Sequence, residues 1–354
     1  MRDGAFDSEP VLAICGWSGS GKTTILERAI HPLVERGLRV AVVKHDAHGI
    51  DIDREGKDSA RLFAAGADVH LRGPGETFTR SIRRREDGIE RAVAEMLADH
   101  DVVLVEGHKN TPLPKVWCHL KGENDVPEEV AAVIEALPFG DRQLDVLLPI
   151  IDHRLTEAHN RRSRLGGVLI GGKSRRMGSP KHGLVISGES LLTRVAGVLK
   201  SRTEAVIILG PGLIPDDASS LDKLGDAPGT GQGPLAGIMT AHRWAPRASW
   251  VVAACDMPGI SAEAVDWLVE QRRPGRWAII PRDDEGRLQP TLALYEPQAG
   301  TLFRALIGEG HRAVRHVADW PEVYTPQIPG NLGQAWVNVN TPGDLEAFVR
   351  AKDR

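Results

Sequence analysis

Little in this chain points to a membrane, an export route or a disulfide framework. Only three of its 354 residues are cysteine (Cys15, Cys118, Cys255), and none has a C-x-x-C partner, which argues against a disulfide scaffold and a zinc site. No apolar run approaches the roughly 20 residues that a membrane-spanning helix needs. The opening MRDGAFDSEP lacks the basic start and apolar stretch of an export signal, so the expected location is the cytoplasm, with no membrane partner. Excess charge of one sign is also missing. The net charge is -4, with 26% charged and 41% hydrophobic residues, a composition that excludes wholesale disorder. No nucleic-acid-binding signature is present.

What is present is an asymmetry. Residues 1–160 hold 20 Lys+Arg against 28 Asp+Glu, whereas residues 161–354 hold 24 against 20. Two halves of opposite sign fit two domains, and the basic half favours a polyanionic ligand. Apolar strand-like runs alternate with helical stretches in both halves, the pattern of α/β architecture with mostly parallel sheets. Strands are expected at 11–15, 38–43, 102–105, 167–170, 206–209, 250–254, 277–280 and 291–294. Helices are expected at about 22–36, 126–137, 191–200, 262–271 and 342–350. The Arg-rich stretch 153–164 reads either as the continuation of a helix or as a linker. A boundary there gives domains at 8–160 and 161–354.

The first half carries Gly16-Trp17-Ser18-Gly19-Ser20-Gly21-Lys22-Thr23, which satisfies G-x-x-x-x-G-K-[ST] directly after an expected strand and before an expected helix. The glycines let backbone N–H groups turn inward around phosphate oxygens, and the helix N-terminus adds a favourable dipole. Lys22 would reach the terminal phosphates and Thr23 would ligate Mg²⁺. Glu106 ends an apolar strand where a P-loop fold sets an acidic group near that metal. His45 and His48 read as loop histidines rather than ligands.

The second half opens with another glycine-rich element, Leu169-Ile170-Gly171-Gly172-Lys173-Ser174-Arg175-Arg176-Met177-Gly178-Ser179-Pro180-Lys181. It is not a Walker loop, because its cations are spread over the loop. Lys173, Arg175, Arg176 and Lys181 would neutralise a triphosphate in a low-dielectric cleft. Asp256 follows an apolar strand at the end where open α/β sheets bind ligands, and a carboxylate there can hold Mg²⁺. Asp226 precedes Gly233-Pro234-Leu235-Ala236-Gly237, a loop that opens a helix. Cys255 reads as a small buried residue.

Several separated motifs carry a resemblance. WSGSGKTT, Val43-Lys44-His45, Asp51-Ile52-Asp53, Gly56-Lys57-Asp58-Ser59 and Val105-Glu106-Gly107-His108-Lys109 together resemble the molybdopterin-guanine dinucleotide biosynthesis adaptor family over about residues 10–120. The resemblance implies a P-loop NTPase fold that binds GTP through Gly16, Gly19, Ser20, Gly21, Lys22, Thr23 and Thr24. It also implies weak GTP hydrolysis at most, and assistance to a partner guanylyltransferase.

Leu169–Lys181, Asp226, Gly233–Gly237, Cys255-Asp256-Met257-Pro258, Gln289-Pro290-Thr291 and Asn338-Val339-Asn340-Thr341-Pro342 follow in order and resemble the molybdenum cofactor guanylyltransferase family over about 165–352. That family has a Rossmann-like nucleotidyltransferase fold. The chain is therefore expected to be a fusion of two three-layer α/β domains. The resemblance implies that Leu169, Ile170, Gly171 and Gly172 meet the guanine and that Lys181 and Arg176 hold phosphates. It further implies that Asp226 contacts the nucleotide, Asp256 binds Mg²⁺ with GTP, and Asn338 and Asn340 lie on the pterin side. Two departures stand out. The loop between Gly178 and Lys181 holds two residues where some relatives have three, and Val206–Leu209 runs into Gly210-Pro211 without the Asn that some relatives use.

The implied substrates are GTP and molybdenum-molybdopterin, with Mg²⁺ as cofactor. The implied protein partners are a molybdenum-insertion protein and apo-molybdoenzymes or their chaperones. The alternatives are cytidylyl transfer to the same pterin and a GTP-dependent scaffold that delivers cofactor to molybdoenzymes.

Overall fold

A computed structural model of the chain describes residues 6–44, 52–54, 56–82, 88–171, 181–230 and 233–352, with the backbone alone at Lys181 and at 351–352. The first unit runs β1 (Val11–Gly16), α1 (Lys22–Glu35), β2 (Val40–Lys44), α2 (Asp58–Ala64), β3 (Val69–Arg72), β4 (Thr77–Arg80), α3 (Ile89–Leu97), β5 (Val102–Glu106), β6 (Lys115–Cys118), β7 (Val133–Leu137) and α4 (Gln143–Arg161). Its main sheet is parallel throughout, in the order β2-β5-β1-β6-β7. Strands buried on both faces read as continuous apolar runs, as in Val11–Cys15 and Val102–Val105. One face packs Leu12, Ile14 and Leu104 against Ile25, Leu26 and Leu33 of α1 and Leu147 and Ile151 of α4. The opposite face packs Val11, Val103 and Val105 against Val93 of α3.

The second unit runs β8 (Arg164–Leu169), β9 (Val185–Ile186), β10 (Glu189–Ser190), α5 (Leu191–Lys200), β11 (Ala205–Leu209), β12 (Asp222–Leu224), α6 (Pro234–Trp244), β13 (Ser249–Ala254), α7 (Ala262–Glu270), β14 (Ala278–Ile279), β15 (Leu292–Tyr295), α8 (Ala299–Gly308), β16 (Val323–Tyr324) and α9 (Pro342–Lys352). Seven strands form one sheet, β12-β11-β8-β13-β15-β14-β16. It is mixed rather than uniformly parallel, because β15 runs antiparallel to both neighbours. Helices α5 and α7 cover one face and α6 and α8 the other. Ser190 and Ser261 cap α5 and α7 by accepting the N–H groups of Thr193 and Ala264, at 3.1 and 3.2 Å.

One expectation changes, and one open alternative is decided. The stretch 126–137 is not a helix: Val133–Leu137 is the edge strand β7, paired parallel to β6 across a register irregularity at Lys115/Val116. Helix formers such as Glu135 and Ala136 yield there to an open sheet edge. The Arg-rich stretch is the last part of α4, and only residues 162–163 separate that helix from β8. Among the described residues no helix is long and apolar enough to cross a membrane.

Two candidate nucleotide sites

The first site forms where β1 gives way to α1. Gly16 has φ +152°, and a Cβ on it would lie 2.5 Å from Ser20 Oγ and 2.6 Å from the Cys118 carbonyl, so only glycine closes this turn. Gly21, in the left-handed region, caps α1 without any side-chain cap. The first-turn N–H groups are thus left to an external anion. Lys22 lies across the loop, its Nζ donating to the carbonyls of Gly16 (3.1 Å) and Trp17 (2.8 Å). Ser20 is buried and its Oγ has no partner, whereas Thr24 is exposed on the first turn of α1.

Thr23 Oγ1 donates to Glu106 Oε1 at 2.8 Å, joining the start of α1 to the end of β5. Lys44, at the end of β2, sets its Nζ 3.6 Å from the other carboxylate oxygen. A hydroxyl and a carboxylate side by side at the mouth of a phosphate cradle form the hard oxygen donor set that suits Mg²⁺. A second cluster flanks the loop. The Trp17 indole donates to Glu123 Oε1 at 2.9 Å, meets Trp117 edge-on at 5.7 Å, and carries Lys109 Nζ 4.6 Å from its ring centroid. Hydrogen bonds led by the Leu120 N–H hold the Glu123 carboxyl low. Sequence reasoning gave Trp17 and Lys109 no role beyond their motifs and missed Trp117 and Glu123; the only signal was an aromatic inside the P-loop. Burial pushes the thiols of Cys15 and Cys118 up to about 11 and about 12, leaving both unreactive.

The second site gathers at the corresponding edge of the other sheet. Leu169 ends β8, and its carbonyl accepts the Cys255 N–H at 3.1 Å, which seats Asp256 beside the Leu169-Ile170-Gly171 turn. The Ile170 N–H reaches the Leu209 carbonyl at 2.9 Å. Gly210, at φ +114°, lets the neighbouring loop pass close by: a Cβ there would lie 2.3 Å from the Ile170 carbonyl oxygen. The Ala254 N–H donates to the Thr291 carbonyl (2.7 Å), and the Val339 N–H donates to the Asp256 carbonyl (2.8 Å). The Gln289-Pro290-Thr291 and Asn338-Val339-Asn340 segments therefore flank Asp256 from two sides. Asp344 locks the second segment by accepting the N–H groups of Asn340 and Thr341, each at 2.9 Å. Asp226 follows β12, two strands from β8 and three from β13, on the same edge, and desolvation raises its carboxyl. Gly233 opens α6, again without a side-chain cap.

A cavity of about 580 Å³ adjoins this edge, lined by Asn338, Asn340, Gln289 and Trp336 together with Asp283, Asp284, Glu285 and Arg287. Sequence reasoning missed this acidic hairpin. Asp283 accepts from Arg287 and Gln289, and Asp284 accepts from Gln327 at 3.1 Å.

Residues 11–136 match the family described as molybdopterin guanine dinucleotide synthesis protein B, and residues 166–322 match the MobA-like NTP transferase domain. The chain is 37% identical over 138 residues to the molybdopterin-guanine dinucleotide biosynthesis adapter protein of Haemophilus influenzae, covering 37% of this chain and 76% of that protein. It is 33% identical over 198 residues to a probable molybdenum cofactor guanylyltransferase of Mycobacterium marinum, covering 53% of this chain and 94% of that protein. The chain belongs to both families. A solved structure, the molybdopterin-guanine dinucleotide biosynthesis protein A of Archaeoglobus fulgidus, shares 25% identity at TM-score 0.43 and covers 53% of this chain and 98% of its own.

The chain is thus a MobB adapter domain fused to a MobA-like nucleotidyltransferase domain of molybdopterin guanine dinucleotide biosynthesis. In the MobB domain the fold brings Gly16 to Thr23 together with Glu106. In the MobA-like domain it brings Leu169, Ile170 and Gly171 together with Asp256, Asn338 and Asn340 on one edge, with Asp226 farther along it. Gly172, Lys173, Arg175 and Arg176 lie outside the described residues, as do His45, His48 and Asp51, and Lys181 is described by its backbone alone.

Proposed function

We propose that the MobA-like domain, residues 161–354, transfers GMP from GTP to molybdenum-molybdopterin. The products are the guanine dinucleotide cofactor and pyrophosphate. A terminal phosphate oxygen of the pterin attacks the α-phosphorus of GTP, and the bond from that phosphorus to the pyrophosphate oxygen breaks. The nucleophile is already anionic, so alignment and charge neutralisation carry the rate rather than a strong base. The observation that supports this reading is the convergence on Asp256: the Leu169–Gly171 turn, the Thr291 segment and the Val339 segment all hydrogen-bond to its immediate backbone neighbourhood.

In this reading Leu169, Ile170, Gly171 and Gly172 face the base and Asp226 contacts the nucleotide. Arg176 and Lys181 hold phosphates, and Asn338 and Asn340 orient the pterin. The Asp256 carboxylate would hold Mg²⁺, which supplies neutralisation of phosphate charge when bound. The MobB domain, residues 8–160, binds GTP on Gly16–Thr24, with Thr23 and Glu106 suited to a second Mg²⁺. It assists the transferase, with weak hydrolysis at most. A molybdenum-insertion protein upstream and apo-molybdoenzymes or their chaperones downstream would be its protein partners.

The test is direct. The purified chain is incubated with Mg²⁺, molybdopterin carrying molybdenum, and each nucleoside triphosphate in turn, and the dinucleotide is identified by mass. Guanine dinucleotide and pyrophosphate are expected from GTP alone. Product from CTP instead would make the chain a cytidylyltransferase. Nucleotide-dependent binding to a molybdoenzyme without any product would make it a scaffold.

A further inference from the structure

The junction between the two domains is built at one particular end of each sheet. From the MobB domain it takes Arg39, just before β2, and Asp101, just before β5. From the MobA-like domain it takes Trp277, just before β14, and Glu322, just before β16. Asp101 Oδ1 accepts the Trp277 indole N–H at 2.9 Å and the Gly275 N–H at 3.1 Å, while Oδ2 accepts the Arg39 N–H at 2.8 Å. The Arg39 guanidinium stacks 4.5 Å from the Trp277 ring and donates to Glu322 at 2.6 Å. Asp101, Trp277 and Glu322 are all buried. Every one of these residues lies at the N-terminal end of a parallel strand or in the turn that feeds it.

Both candidate nucleotide sites lie at the other end. The P-loop follows β1 and Glu106 ends β5; Ile170 follows β8 and Asp256 follows β13. The two sheets therefore meet foot to foot, and their ligand-binding edges point away from each other.

We infer that the two nucleotide sites of one chain are separate, facing outward at opposite ends of a back-to-back pair, so that the GTP held on the P-loop is never the GTP consumed at Asp256. The inference rests on the reading that both domains take guanine nucleotide. Strands of five or six residues at about 3.3 Å per residue span roughly 17–20 Å each, so two sheets joined at their feet part the sites by more than about 30 Å. No side chain of the P-loop bridges that span, and a nucleoside triphosphate does not reach across it. The adapter's assistance to the transferase in the same chain must then travel through the junction, or act on a different molecule at the P-loop end.

Two measurements on the full chain test this. The first uses spin labels at Phe139→Cys, just past the C-terminal end of β7, and Leu213→Cys, past the end of β11; both positions are exposed, and the native cysteines are buried. With labelled chain diluted in unlabelled chain, so that only intrachain pairs report, the dipolar distance is expected beyond about 30 Å with and without nucleotide. A shorter distance in either state overturns the inference.

The second counts a non-hydrolysable GTP analogue bound in the presence of Mg²⁺. Two per chain are expected, with Lys22→Ala removing one and Asp256→Ala removing the other. A parent that binds one analogue per chain, abolished by either variant alone, has a shared site and overturns the inference. A parent that binds one analogue per chain, abolished by only one of the two variants, means that the other domain takes no GTP, which overturns the underlying reading and the inference with it.

Discussion

Thr23 and Glu106, 83 residues apart in sequence, meet at 2.8 Å where the first sheet opens onto its phosphate loop. The hydroxyl donates to the carboxylate, and both present oxygen toward the place a divalent cation would occupy beside a triphosphate. Glu106→Gln keeps the shape and removes the charge. It is expected to weaken Mg²⁺-dependent GTP binding to the MobB domain roughly tenfold, about 1.4 kcal/mol. Binding measured in EDTA should stay unchanged; an equal loss in both conditions would remove Glu106 from the cation site.

Asp256→Asn should reduce dinucleotide formation by at least about 10²-fold, the usual scale for removing a group that stabilises transition-state charge. Circular dichroism and melting temperature should remain those of the parent. Near-normal turnover would mean that another group does this work.

Gly210→Ala tests the close approach of two loops beside the Leu169–Gly171 turn. The new Cβ would lie 2.3 Å from the Ile170 carbonyl oxygen at a φ of +114°. A cost of roughly 2–4 kcal/mol is expected. Denaturant melts read the loss, and GTP affinity at the second site should fall with it. An unchanged midpoint would show that the loops accommodate the methyl group by moving apart.

Asp101→Ala leaves three N–H donors at the junction without their acceptor. Stranding buried donors costs on the order of 3 kcal/mol here, and Asp101→Asn should recover part of it by keeping one acceptor oxygen. Burial raises the Asp101 carboxyl, and hydrogen bonds from Arg39, Trp277 and Gly275 oppose that rise. If the alanine and asparagine variants melt alike, the carboxylate contributes no specific hydrogen bonding.

Acid should destabilise the chain in two stages. Burial lowers His242 to about 3 and His159 to about 4 from an ordinary 6.5, so both stay neutral in the fold while the unfolded chain takes up protons. Their contribution is complete above pH 6.5 and falls as pH drops toward 4. Glu296 follows. Burial alone would raise it, but Arg272 and Arg162 hold it down at about 2, so its contribution is lost from about 4.5 downward. His242→Leu should therefore lose less melting temperature between pH 7.5 and pH 5 than the parent. A parallel decline would exclude His242 as a source of the acid sensitivity.

The sites were far more legible in the sequence than the junction. Gly16–Thr23 announces itself because a phosphate cradle needs glycines, a lysine and a hydroxyl at fixed spacing. Leu191–Lys200 and Ala262–Glu270 show clear apolar periodicity with serine caps. The stretch 126–137 reads as helical because the short edge strand Val133–Leu137 within it carries little periodicity and its residues suit either state. Arg39, Asp101 and Glu322 look like solvated turn charges in one dimension; only the packing of one sheet's foot on the other buries Asp101 and Glu322 and covers part of Arg39. Glu123 is equally silent, since nothing local ties it to Trp17.

Helix α4 packs on the first sheet and yields after two residues to the central region of the second, where Arg272, drawn into a buried pair with Glu296 at 2.6 Å, also donates to the His159 carbonyl of that helix at 3.1 Å. Cleaving the polypeptide at this short connector would not yield two self-sufficient domains. Each fragment would expose ionic groups shaped to fit the other, and coexpressed fragments should reassociate rather than diffuse apart.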